Sequence, residues 1–226
     1  MTHIFCFSGS GNSTSIAQYF ADALQTGICR LPCKDPPVCD IAIVVFPVFC
    51  QNIPTPVLDF FKKLQAKHLV LIATYGKISF GNVLAEAAQL VGGTVIAGAY
   101  IPMAHSFLQE ENDFDLRLLE PILQRIADPK PINLPKCAKN PLSDFLPEWR
   151  SRVGLKIRKR PTCTNCSLCD SLCPVGAVRN GVPTKRCIRC MRCVTECPAH
   201  ALYIQPTSLL SAYLKRKRKS DFILYL

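Results

Sequence analysis

Eight of the chain's 14 cysteines fall in two copies of one spacing. Cys163, Cys166, Cys169 and Cys173 run directly into Pro174, and Cys187, Cys190, Cys193 and Cys197 run into Pro198. Thiolates are soft ligands, and a compact run of this spacing with a terminal proline is a signature of [4Fe–4S] ligation. The chemistry expected is therefore one-electron transfer at two clusters. Two zinc sites of four thiolates each remain an alternative, because an all-sulfur donor set suits either metal. Zinc ribbons, however, usually separate their cysteine pairs by a long loop.

The repeat extends past the cysteines. Cys173-Pro174-Val175-Gly176-Ala177-Val178 matches Cys197-Pro198-Ala199-His200-Ala201-Leu202. Such duplication predicts two half-units related by approximate two-fold symmetry. Each half is too short for an ordinary apolar core, so the clusters are expected to serve as the core. Lys185, Arg186, Arg189 and Arg192 crowd the second motif, whereas no Lys or Arg stands between Thr162 and Val178. Positive charge favours a reduced cluster, which predicts the higher potential at the second site.

A second candidate lies near the N-terminus, in Ser8-Gly9-Ser10-Gly11-Asn12-Ser13-Thr14. It has no lysine, which excludes a Walker A loop. Its Gly-x-Gly is followed by Thr14 where a dinucleotide fingerprint needs Gly or Ala. Hydroxyls and backbone N–H groups at a helix start suit one phosphate monoester. A turn with an N-cap is the plainer alternative.

The elements that must position these groups follow from periodicity. Ile4 to Phe7 reads as a strand, and Ile16, Ala17, Phe20, Ala21 and Leu24 recur at helical spacing after the loop. Further strands are expected over 27–31, 40–46, 69–73 and 94–100, with helices over 57–64, 82–91 and 116–126. Near-continuous apolar strands alternating with helices predict a parallel sheet covered on both faces. Prolines 129, 131, 135, 141 and 147 break the pattern and mark a linker. Phe145, Leu146 and Trp149 within it are costly to expose, so packing against a domain face is expected. The organisation expected is thus a domain over 1–127, a proline-rich linker over 128–160, the cluster module over 161–206 and a tail over 207–226. A short helix over 208–214, the basic run Lys215 to Lys219 and the apolar end Phe222 to Leu226 make up that tail.

Charge separates the halves: residues 1–140 hold 11 basic and 11 acidic side chains, and residues 141–226 hold 16 and 5. The positive half suits an acidic redox partner or an anionic membrane surface, and part of it offsets the anionic clusters. The longest apolar run, Ile41 to Cys50, has ten residues, against about 18 or more for a membrane span. Met1-Thr2-His3 leads into the apolar Ile4 to Phe7 without a basic segment, so no export signal and a cytoplasmic location are expected. Cys6, Cys29, Cys33, Cys39 and Cys137 show no ligand spacing.

Phe7 to Ser13 resembles the phosphate loop of flavodoxins, and more closely that of the flavodoxin–ferredoxin fusion proteins of anaerobes, a resemblance that covers about 1–127 and 161–206. The resemblance implies a five-stranded parallel sheet of order 2-1-3-4-5 followed by a small α+β ferredoxin module. It implies FMN, its phosphate on Ser8, Ser10, Gly11, Asn12, Ser13 and Thr14. A second loop, Pro47-Val48-Phe49-Cys50, and a third, Thr74-Tyr75-Gly76, would border the ring, flanked by Phe49 and Tyr75 with Phe80 competing. His105 is a further candidate neighbour of the flavin. The family commonly surrounds its flavin with carboxylates. None occurs here between Asp59 and Glu86, and Lys77 does, which implies a less strongly reducing FMN. In bacterial two-cluster ferredoxins the fourth cysteine serves the other half. That implies Cys163, Cys166, Cys169 and Cys197 around one cluster, and Cys187, Cys190, Cys193 and Cys173 around the other.

The function implied is electron transfer between FMN, two [4Fe–4S] clusters and redox partner proteins, at least one of them acidic. An FMN-dependent reductase acting on a small molecule or quinone is the alternative. Peripheral membrane contact through 208–226 is compatible with its apolar–basic–apolar order. Nucleic-acid binding is not expected, since no recognition fold or aromatic platform accompanies the basic run.

Overall fold

The computed structural model describes residues 1–108, 110–145, 147–216 and 220–226. The N-terminal unit alternates β1 (Thr2–Cys6), α1 (Asn12–Leu24), β2 (Ile28–Arg30), β3 (Cys39–Pro47), α2 (Thr55–Phe61), β4 (Ala66–Tyr75), α3 (Val83–Leu90), β5 (Thr94–Pro102) and α4 (Glu120–Ala127). Strands β2-β1-β3-β4-β5 lie side by side and parallel, the flavodoxin-like order 2-1-3-4-5. Register runs from Phe5 to Val44, from Val44 to Leu71 and from Leu71 to Gly98.

Strand alternation builds two cores. Phe5, Val44, Phe46, Leu71 and Tyr75 face α2 and α3 and meet Val57, Phe60 and Leu84. Their neighbours Ile4, Cys6, Ile43, Val45 and Ile72 face the other way and meet Ile16 and Phe20 of α1 and Ile122 of α4. Successive side chains of a strand point to opposite faces, so a strand apolar at every position must be covered twice.

A sixth strand, β10 (Ile223–Tyr225), joins the edge antiparallel to β5, with Tyr225 opposite Gly98. The apolar end of the tail is therefore committed to the sheet: Leu224 and Phe222 pack against one core, Ile223 and Tyr225 against the other. This pairing occupies 223–225 of the 208–226 segment for which membrane contact is expected. Of the basic run, Lys217 to Lys219 lie outside the described residues. No helix among the described residues is long and apolar enough to cross a membrane.

The stretch expected to be linker is structured. It holds a 3-10 turn (Pro141–Asp144), α5 (Pro147–Gly154) and β6 (Leu155–Lys159). It packs against the N-terminal unit as expected, with Ile132 and Leu134 on its core and Asn52 donating to Ser143 O at 3.0 Å, but Phe145 and Trp149 stay 66% and 52% exposed, and Leu146 lies outside the described residues. Leu155 and Ile157 alternate with exposed Lys156 and Arg158, and β6 pairs antiparallel with β9 (Leu202–Pro206). The remaining elements of this α+β module are α6 (Leu168–Ser171), β7 (Val178–Arg179), β8 (Val182–Pro183), α7 (Arg192–Thr195) and α8 (Ser208–Leu214). The module has a small apolar core of its own, in which Leu155, Ile157, Val178, Met191 and Leu202 surround Cys187 and Cys193.

The sequence repeat is also a backbone repeat. Left-handed residues recur in pairs at Asn165 and Arg189, Ser167 and Met191, and Gly176 and His200. Ala177 N donates to Cys173 Sγ at 3.1 Å, and Ala201 N donates to Cys197 Sγ at 3.4 Å.

Candidate functional site

Four loops at the carboxyl ends of β1, β3, β4 and β5 surround an open cleft, where such sheets bind ligands. Val48 N donates to Thr74 O (2.8 Å) and Met103 N to Tyr75 O (2.8 Å), which stitches the last three loops together. The cleft has a cavity volume of about 110 Å³ and opens to solvent. Ser8, Ser10, Asn12, Ser13, Pro47, Val48, Phe49, Cys50, Thr74, Tyr75 and Gly76 all reach it.

Gly11 and Thr14 stand off the cleft wall. Gly11 caps α1 in a left-handed conformation (φ 94°) without any side-chain cap, and the first turn carries no acidic residue. The N–H groups of that turn are thus left for an anion, and the helix dipole favours one. Thr14 turns its hydroxyl to the Cys6 thiol. Ser13 and Thr74 share a buried hydrogen bond of 2.9 Å, so one proton of that pair stays available to a ligand. Ser10 Oγ meets Ser106 Oγ at 3.0 Å, and Asn12 donates to Ala104 O at 2.6 Å, which fixes the loop against the segment after β5.

Tyr75 does not offer its ring to the cleft. It is 2% exposed, its hydroxyl donates to Asp221 O (2.7 Å), and its ring packs edge-on to Phe80 at 5.1 Å. The cause is alternation: Thr74 faces Ser13 of α1, so Tyr75 faces the opposite layer. Phe80 is likewise committed, stacked on Tyr100 at 4.2 Å. The aromatic side chains of the lining besides Phe49 are His105 and Phe107, whose rings lie 5.0 Å apart. His105 Nδ1 accepts from Phe107 N (3.2 Å), which puts the proton of a neutral ring on Nε2. His105, expected as a neighbour of the flavin, does line the cleft, whereas Met103, Ala104, Ser106 and Phe107 of the same loop were missed.

The fourth wall comes from the other module. Ser151, Ile188, Arg189 and Cys190 complete the lining. Gly9 is packed so tightly that a Cβ there would overlap the carbonyl of Cys190. Arg192 donates to Ser8 O (3.1 and 2.9 Å) and Leu31 O (3.1 Å), with its guanidinium over the Phe7 ring at 5.4 Å. Ile188 belongs to the flavodoxin-like core, and Phe107 packs against the core of the module. Nothing in the spacing of these residues announced the contact.

The thiols fall into two sets. Cys163, Cys166, Cys169 and Cys197 line one cavity; Cys173, Cys187, Cys190 and Cys193 line another. Each set takes three members from one run and the fourth from the other. Among the described residues no three His, Cys, Asp or Glu are arranged to hold a single metal ion; the thiols stand around cavities instead. Burial pushes Cys190 up to about 11 and Cys193 up to about 12, so a metal must displace these protons. At Cys197 burial raises the thiol too, but the N–H groups of Ala201, Leu202, Ala199 and His200 outweigh it and hold it below its ordinary value. The donors, their enclosure and the N–H···S bonds fit a cluster. The uncapped helix end and polar cleft fit a flavin phosphate.

Residues 182–203 match the 4Fe-4S binding domain family. The thiosulfate reductase electron transfer subunit PhsB of Salmonella typhi is 36% identical over 83 residues, a match covering 27% of this chain and 43% of that protein. The chain thus aligns with less than half of that relative's length. Two Bacteroides proteins of solved structure, each assigned as a flavoprotein, are similar in part. The one from B. uniformis is 14% identical with a TM-score of 0.38, over 46% of this chain and 92% of its own. The one from B. eggerthii is 15% identical with a TM-score of 0.39, over 56% and 97%.

Proposed function

We propose that this chain is an electron-transfer protein that holds FMN in the flavodoxin-like cleft and a [4Fe–4S] cluster in each four-thiol cavity. One observation carries the reading: Cys190 lines both the cleft and the second thiol cavity. A bound flavin exchanges one or two electrons and each cluster exchanges one, so the pair couples two-electron to one-electron chemistry. The residues of this chain supply distance and potential. Arg192 and Gly9 hold the second thiol set against the phosphate loop. Cys166 is the exposed member of the first set, which makes that site the point of access for a partner.

The partner surface is basic. Lys156, Arg158, Lys159 and Arg160 are exposed ahead of Cys163, with Arg160 over the Tyr203 ring at 5.0 Å. An acidic redox protein suits it, and the relative named as an electron transfer subunit supports a role beside other redox proteins. The test is anaerobic purification with iron, sulfide and flavin quantified: about eight iron, eight sulfide and one FMN per chain are expected. Material that is well folded yet metal-poor, or filled with zinc, ends the proposal.

An FMN-dependent reductase is the second reading, favoured by the solvent continuity of the cleft. Rapid oxidation of the reduced protein by a quinone, unaffected by loss of the first cluster, would select it.

A further inference from the structure

Arg189 is the residue of the module most oddly placed. It adopts a left-handed backbone (φ 56°), sparsely populated by side chains of its kind. Its counterpart in the first half is Asn165, a residue suited to that conformation, whose side chain accepts locally from Lys159 Nζ at 2.8 Å. Arg189 instead lines the cleft at the boundary of the two modules. Its Nε donates to Leu155 O at 2.9 Å, which fixes the guanidinium plane. Its Nη1 is buried and has no hydrogen-bond partner among the described residues. A buried charged donor without an acceptor costs free energy, and a strained backbone costs more. Both costs fall at one residue on the wall of a ligand cleft, beside Ile188 and Cys190.

We infer that Arg189 is a flavin ligand supplied across the module boundary, its guanidinium turning to donate to an anionic oxygen of the nucleotide in the cleft. The inference rests on the FMN reading above and adds a residue to it. Two groups of the nucleotide offer that chemistry: the phosphate, and the carbonyl edge of the ring, which gains negative charge on reduction. In either case the cluster-bearing module completes the flavin site, and the flavodoxin-like unit alone lacks one of its charged contacts.

Arg189→Asn suits the left-handed backbone, as Asn165 does, and removes the guanidinium. Wild-type and variant are compared as full chains with reconstituted clusters, with iron content and far-UV circular dichroism as checks of folding. Titration with FMN and with riboflavin separates the two sources. If Arg189 contacts the phosphate, Arg189→Asn lowers FMN affinity about ten- to a hundred-fold and leaves riboflavin affinity unchanged. If it contacts the ring, the variant lowers the midpoint potential of bound flavin and binds both ligands more weakly when they are reduced. If Arg189→Asn loses its iron, Arg189→Lys serves in its place. It keeps the charge without the fork and is expected to lose part of the same effect. Unchanged affinity for both ligands together with an unchanged flavin potential overturns the inference. Failure of the wild-type chain to bind FMN at all overturns the underlying reading instead.

Discussion

The main chain of Gly9 runs directly against the carbonyl of Cys190, with no room between them for a Cβ. The loop after β1 of one unit and the backbone of a cysteine that lines the second thiol cavity of the other are thereby held in contact. A methyl group at Gly9 must push the modules apart or distort the loop. Gly9→Ala is expected to cost about 1–3 kcal/mol, as overpacking does, and to slow flavin reduction through the clusters. Arg192→Ala is the companion variant. It loses charge-assisted bonds to Ser8 O and Leu31 O, each worth roughly 1.5–3 kcal/mol, without adding bulk. Denaturant unfolding and stopped-flow reduction measure both. Wild-type rates in both variants would mean that electrons do not cross at this contact.

The division of the thiols makes opposite predictions for two similar substitutions. Cys197→Ser removes a member of the set containing Cys163, although it lies in the second sequence run. Cys173→Ser removes a member of the set containing Cys187. Each variant is expected to retain about four iron atoms. The flavin of Cys173→Ser should lose its fast reduction by the clusters, whereas Cys197→Ser should keep the cluster beside the flavin. Iron analysis and electron paramagnetic resonance of the reduced proteins decide it. Loss of the cluster beside the flavin from Cys197→Ser, with its retention in Cys173→Ser, would refute the crossed arrangement.

Much of this arrangement was legible because its signals are local. The cysteine runs declare their chemistry by spacing alone, and the apolar strands 40–46 and 69–73 declare burial on both faces. The misreadings share a different cause. Leu155 and Ile157 alternate with Lys156 and Arg158 beyond five prolines, so a strand looked like a basic linker. Ile223 to Tyr225 needs only an edge to pair with, and no sequence pattern names the edge. Tyr75 lies on the correct loop, but its ring direction depends on which face Thr74 takes. Arg189 and Arg192 read as charge around a cluster, whereas one lines the cleft and the other is turned onto Ser8 and Leu31. Interfaces are relations between distant residues, and composition does not record them.

Thiol chemistry distinguishes the cysteines outside the cluster sets. Burial, the largest cause, pushes Cys6 up to about 12 against the opposing hydrogen bond of Thr14 and the charge of Arg192. At pH 8 about one molecule in ten thousand then carries a Cys6 thiolate, the reactive form. Cys50 is exposed beside Ser151 Oγ at 3.4 Å. Brief alkylation of the cluster-loaded protein should label Cys50 and spare Cys6, as read by peptide mass spectrometry. Bound flavin should slow the reaction, because Cys50 lines the cleft. Labelling of Cys6 at a comparable rate would contradict its burial.

The tail offers a test at high pH. Burial, then the Asp221 carboxylate, raises Tyr75 to about 12, against the opposing bond to the Asp221 carbonyl. Burial and the Cys137 thiol raise Tyr225 to about 12 as well. A phenol whose folded pKa lies above its unfolded value near 10 stabilises the fold fully below pH 10. That contribution is lost as the pH climbs through 12, when the buried hydroxyls must ionise. Stability of the wild-type chain should therefore fall between pH 10 and 12. Tyr75→Phe should fall less steeply while costing about 1 kcal/mol at neutral pH for the lost bond to Asp221. Deleting residues 221–226 removes that bond and the β10 ladder together, at a cost on the order of 3 kcal/mol. Adding Tyr75→Phe to the truncation should then cost less than it does in the full chain, since the two changes share one hydrogen bond. Strict additivity in thermal unfolding would show that the tail and Tyr75 do not act on each other.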